Sequence, residues 1–162
     1  MYNLNVEEET INNISIYIGI EEKKALEILN VSDDNLQRVE ENVAYCSLVN
    51  TVMCNISGVC RLLFIEGKLS KITFVPSLKE YIRELEKISR EGLYLCVDKG
   101  FSHIKGYMDS LEIEKKDEMR NTCLYKKEKM SIVLRVDPNH ESVYVVMEES
   151  HPLAFHLSSV SG

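Results

Sequence analysis

Residues 60–75 constrain the fold more than any other stretch of this sequence. Two apolar runs, Leu62-Leu63-Phe64-Ile65 and Ile72-Thr73-Phe74-Val75, flank the polar segment Glu66-Gly67-Lys68. β-Branched and aromatic residues on both sides of such a segment predict a β-hairpin whose turn needs a residue tolerant of positive φ. The plan recurs at 132–147, where Ile132-Val133-Leu134-Arg135-Val136 and Val143-Tyr144-Val145-Val146-Met147 flank Asp137-Pro138-Asn139-His140-Glu141-Ser142. Two hairpins of one design, about 75 residues apart, point to a duplicated small α/β unit.

Composition narrows the classes. The 162 residues are 44% apolar and 28% charged, the make-up of a globular chain and not of a disordered one. No run approaches the roughly 18 consecutive apolar residues that span a bilayer, so no membrane partner is expected. The segment Met1-Tyr2-Asn3-Leu4-Asn5-Val6-Glu7 lacks the basic region and apolar core of a secretory signal, and a cytoplasmic location is expected. A net charge of −7 repels phosphate backbones and steers a basic protein toward the chain, so the expected partner is a protein and not a nucleic acid. The five cysteines, Cys46, Cys54, Cys60, Cys96 and Cys123, are odd in number and show no Cys-x-x-Cys spacing. They read as buried free thiols, with a Cys54–Cys60 bridge across a hairpin as the alternative.

In chain order, residues 7–15 suggest a short first helix, and Glu21–Leu29 a second with Ala25, Ile28 and Leu29 on one face. Residues 30–42 read as a polar connection carrying Asp33, Asp34, Glu40 and Glu41. Strands are expected over 43–54, with Ser57-Gly58 turning the chain into the first hairpin. Ser77-Leu78-Lys79-Glu80 has the form of a capping box opening a helix that Gly92 would stop, with Leu78, Tyr81, Ile82, Leu85 and Ile88 at helical spacing.

After Gly92 the pattern restarts. Leu93-Tyr94-Leu95-Cys96-Val97-Asp98 matches Ile16-Tyr17-Ile18-Gly19-Ile20-Glu21, Asp98 reads as an N-cap, and Phe101, Ile104, Met108 and Leu111 form a helical stripe. A second acidic connection, with Glu112, Glu114, Asp117 and Glu118, precedes a strand around 122–125. The expectation is an α+β fold of two helix-plus-antiparallel-sheet half-repeats packed as one body, residues 1–76 and 77–149. The tail, 150–162, reads either as a segment that docks along that body through Leu153, Phe155 and Leu157 or as a mobile or vector-derived end.

The sequence carries no nucleotide-binding, hydrolase or metalloprotease motif, and neither a cofactor nor a metal is expected. His103 falls on the polar side of its helix, and His151 and His156, five apart, lie in the tail. Cys96 with His103 is a candidate nucleophile and base by spacing alone, but Cys96 sits in an apolar run and reads as a packing residue.

The order of helix, sheet, helix and sheet resembles the tandem-repeat fold of the β-lactamase inhibitor protein, and each half is similar to the small outer-membrane assembly lipoprotein fold. The residues behind the resemblance are Tyr17-Ile18-Gly19-Ile20-Glu21-Glu22 and the hairpin at 63–72, with second copies at 94–98 and 134–143. It implies protein binding by a sheet face and loops, as in immunity proteins that neutralise a toxin domain of interbacterial competition. The implied contacts with such a basic toxin domain are Asp33, Asp34, Glu40, Glu41, Glu112, Glu114, Asp117 and Glu118, with Tyr45 and Tyr125 as aromatic anchors. A small-molecule-binding or enzymatic domain with a helix-sheet pocket near His103 or Cys96, and a secretion or assembly adaptor, are the alternatives.

Overall fold

The structure is a computed structural model that describes residues 1–77, 90–139 and 141–149. Three short strands open the chain, β1 (Tyr2–Asn5), β2 (Thr10–Ile11) and β3 (Ile14–Ser15). Helix α1 (Glu22–Leu29) follows, then a single 3-10 turn at Asp33–Asn35. A four-strand meander comes next, β4 (Leu36–Glu40), β5 (Val43–Met53), β6 (Ile56–Ile65) and β7 (Lys68–Pro76). The long helix α2 (Arg90–Ser110) leads into a second meander, β8 (Glu114–Met119), β9 (Thr122–Lys127), β10 (Met130–Val136) and β11 (Val143–Glu149).

All eleven strands join one sheet in the order β3-β2-β1-β5-β6-β7-β11-β10-β9-β8, with β4 added to β5. β7 and β11 pair antiparallel, Phe74 opposite Val145 and Lys71 opposite Glu148, and this seam joins the meanders. β1 runs parallel to β5, which makes the sheet mixed. Strands take 52% and helix 23% of the described residues. The expectation of a balanced α+β fold with two helix-plus-sheet half-repeats is therefore corrected: the molecule is one large mixed sheet with two helices among the described residues.

The turns explain the registers. Glu66 and Gly67 both adopt positive φ, 52° and 76°, which is the backbone that the right-handed twist of a two-residue hairpin demands. Cys54 and Asn55, at 45° and 67°, do the same between β5 and β6, so the chain turns there and not at Ser57-Gly58, which lie inside β6. Asn12 and Asn13, at 54° and 65°, turn β2 into β3, so residues 7–15 hold short strands and turns in place of the expected helix.

Period-two alternation along β6 buries Ile56, Gly58, Cys60, Leu62 and Phe64 and turns Ser57, Val59, Arg61 and Ile65 outward. The inward set joins Leu48, Ile72, Phe74, Ile132, Leu134, Val145 and Met147 in one core. Ala25, Leu26 and Leu29 of α1 and Val97, Phe101, Ile104 and Met108 of α2 complete it. The last four recur at spacings of four, three and four, so α2 runs unbroken through Gly92 and Asp98. Residues 93–98 are helix, Gly92 is no stop and Asp98 no cap. The expected helix over 78–89, its capping box and the tail lie outside the described residues.

Candidate functional site

The face of the sheet turned away from the core is built from cross-strand rows that pairing makes explicit. One row runs Gln37, Tyr45, Leu63, Lys71, Glu148, Ser131, Lys126 and Glu114, from β4 to β8. The next runs Ser47, Arg61, Thr73, Val146, Val133, Leu124 and Asp117. Toward β9 and β10 this outer face is closed, with Leu124, Ser131 and Val133 all buried. Toward β5, β6 and β7 it is open: Val59 and its partner Val75 are 38% and 39% exposed, and Ile65 is 41% exposed.

Tyr45 stands in the open part. The Arg61 guanidinium lies over its ring, 4.5 Å from the centroid, and its hydroxyl donates to Gln37 Oε1. Both partners hold the ring in one orientation, so little side-chain entropy remains to be lost when another surface covers it. Tyr and Arg among half-exposed aliphatics have the composition of an interface centre.

The expected contact residues fall into distinct places. Glu40 follows Val43 and Ile65 at the β4 end of the outer face, and Glu41 occupies the β4–β5 turn. Asp33 and Asp34 lie in the 3-10 turn before β4, where the Ser32 hydroxyl accepts the Asp34 N–H at 3.3 Å. None of these four carboxylates makes an ion pair with a described residue. The second group is an edge strand and not a connection: Glu114, Asp117 and Glu118 belong to β8, with Glu112 just before it. Seven inter-strand steps separate β8 from β4, roughly 34 Å along the sheet, so the two groups do not form one patch.

The second group is also compensated from within. Glu118 pairs with Lys105 of α2 and with Lys115, and Glu114 pairs with Lys116 at 2.8 Å. These lysines hold both carboxyls below the ordinary value. The Asp117 Oδ1 accepts the Glu118 N–H at 2.8 Å, and the Glu112 N–H donates to Glu7 at 3.2 Å. Tyr125, the other expected anchor, is fully buried on the core side, its hydroxyl donating to Asp109 Oδ1 at 2.8 Å. Lys115 Nζ reaches the same oxygen at 2.8 Å, so the group ties α2 to β8 and β9. Burial pulls the Asp109 carboxyl upward, but the Lys115 and Tyr125 hydrogen bonds outweigh it and hold the group below its ordinary range.

All five cysteines are free, which corrects the Cys54–Cys60 bridge. Burial pushes the Cys54 and Cys60 thiols up to about 12, so neither carries a nucleophilic thiolate near neutrality. Cys96 is buried, and His103 lies two helical turns further on, about 10 Å along the axis. His103 Nε2–H donates instead to the Cys54 carbonyl at 2.9 Å. Around it a groove of about 530 Å³ gathers Asn3, Asn13, Asn55 and Tyr107. Thr10 also lines it, with a buried hydroxyl that lacks a hydrogen-bond partner among the described residues.

Arg61, Val59 and Val75 were missed as surface residues by sequence reasoning, although the alternation of β6 carries the signal for the first two. Among the described residues, no helix is long and apolar enough to cross a membrane. Compared with protein-family models, curated proteins and solved structures, the chain finds no match in any of the three.

Proposed function

We propose that this is a non-enzymatic protein-binding protein of the cytoplasm, an immunity protein that neutralises a basic toxin domain by covering its active site. The observation that carries the reading is the open outer face of β5–β7, where Tyr45 and Arg61 stack among half-exposed aliphatics, with carboxylates at its β4 end that make no ion pair with a described residue. Fixed aromatic and guanidinium groups supply contact energy, and Glu40, Glu41, Asp33 and Asp34 raise the encounter rate of a cationic partner. Five free thiols suit a reducing compartment.

Affinity capture from the source organism at low and moderate salt, followed by kinetic binding with the captured toxin, tests the reading. Tyr45→Ala or Arg61→Ala is expected to speed dissociation about 30-fold. Charge reversal at Glu40 and Glu41 is expected to slow association and flatten its salt dependence. Capture of no protein partner, or one indifferent to both changes, would overturn the proposal. The groove around His103, with a Thr10 hydroxyl that has no hydrogen-bond partner among the described residues, favours a second reading as a small-molecule-binding domain, in which a co-purifying metabolite replaces the protein partner.

A further inference from the structure

A cleft lies at one end of the strands, apart from the centre of the outer face. Backbone hydrogen bonds staple the segment before α1 onto the start of β7, Gly19 N–H to the Leu69 carbonyl at 2.8 Å and Leu69 N–H to the Ile20 carbonyl at 2.9 Å. Between that staple and the β9–β10 turn opens a cleft of about 780 Å³, within the range of small-ligand sites. Tyr17, Ile18 and Ile65 line it with accessible apolar surface, over the buried Leu69 and Met130. Tyr17 is 42% exposed, so its ring face is available to an occupant.

The charges around the cleft select the occupant. Glu9, Glu128, Glu148 and Glu149 outnumber Lys68 and Lys129. Glu148 is drawn to Lys71 at 3.6 Å, while Glu128 and Glu149 are exposed and make no ion pair with a described residue. An anion would meet net repulsion, and a purely polar cation would leave the apolar wall wet. An ammonium on an apolar stem satisfies both, with its carbons on Ile18 and Ile65 and its charge between the carboxylates and the electron-rich Tyr17 face.

We propose that this cleft binds an organic cation with an apolar stem, an alkyl- or arylammonium. The chemistry is shared by a free amine and by a basic side chain on a protein, and the site does not depend on the outer face being an interface.

Titration of the full chain at low salt uses phenethylamine as the free amine, Nα-acetyl-lysine methylamide as the side chain, and hydrocinnamate as the anionic control, with amide chemical shifts locating each. The expected result is saturable binding of a cation with a dissociation constant on the order of 1 mM. Shifts should centre on Tyr17, Ile18 and Ile65, with no binding of hydrocinnamate. The surface double variant Glu128→Gln/Glu149→Gln, which removes charge without removing packing, should weaken binding roughly fivefold. Binding of phenethylamine alone assigns a free amine; binding of the blocked lysine alone assigns a protein side chain. No binding of either cation, equal binding of hydrocinnamate, unchanged affinity in the double variant, or shifts centred elsewhere each overturns the proposal.

Discussion

Gly58 shows how one missing methyl decides where two strands meet. A Cβ there would stand 2.3 Å from the Val75 carbonyl oxygen and 2.8 Å from both the Phe74 ring and the Pro76 Cα. Two of these neighbours are backbone held by the β6–β7 ladder, so they cannot step aside without breaking pairing. Gly58→Ala should therefore cost about 3 kcal/mol in urea unfolding. Gly19 has open space where its Cβ would stand but φ of +97°, so Gly19→Ala carries only backbone strain, about 1 kcal/mol. Equal costs for the two would show that close approach is not what β6 requires of Gly58. Residue chemistry of this kind was legible in part. Glu66-Gly67 announced a positive-φ turn by composition, whereas Cys54-Asn55 did not, because cysteine is rarely chosen for that backbone and its neighbours read as strand.

At the level of elements, α2 is tied to the second meander by Asp109, Lys105, Lys115, Glu118 and Tyr125. Tyr125→Phe removes the hydroxyl that joins β9 to α2 and should cost about 1 kcal/mol, read from the urea midpoint at neutral pH. The carboxyls set the pH response. Asp109 and Glu118 lie below their ordinary values of 3.8 and 4.5 when folded, so their contribution is complete above those values and is lost as pH falls through the depressed ones. Urea midpoints should fall with pH below about 4.5, and Asp109→Asn should flatten that fall. Parallel curves for the two proteins would remove Asp109 from the acid-sensitive set. These elements also mark where pattern reading stops. β8 is Glu-Lys-Lys-Asp-Glu-Met, an edge strand so charged that period-two alternation vanishes, and it reads as a connection. Residues 93–97 are apolar enough to read as a strand, and only the spacing of Val97 to Phe101, Ile104 and Met108 shows them to be the first half of a long helix.

Across the whole molecule, both hairpins, α1 and the apolar stripe of α2 could be read from local pattern, because each is decided by neighbours in sequence. What could not be read was how the pieces join: the parallel β1–β5 contact, the β7–β11 seam and the placement of Glu40, Tyr45, Glu114 and Asp117 on one face. The candidate surface was legible only as a list of acidic and tyrosine residues. Register divided that list among the open face, the compensated edge and, for Tyr125, the core.

The seam carries a kinetic consequence. Within each meander every strand pairs with the one before it, so those ladders close over short loops, whereas Phe74 and its partner Val145 are 71 residues apart in sequence (145 − 74). Loop closure of that length is costly before contacts compensate it, so the seam should zip after the rate-limiting step of folding. Val145→Ala, losing on the order of 2 kcal/mol of buried packing, should then speed unfolding about 30-fold and leave the refolding rate unchanged. A slowed refolding limb in stopped-flow measurements would instead place the seam in the nucleus. If it zips last, it also parts first, and the two meanders separate there before either one unravels.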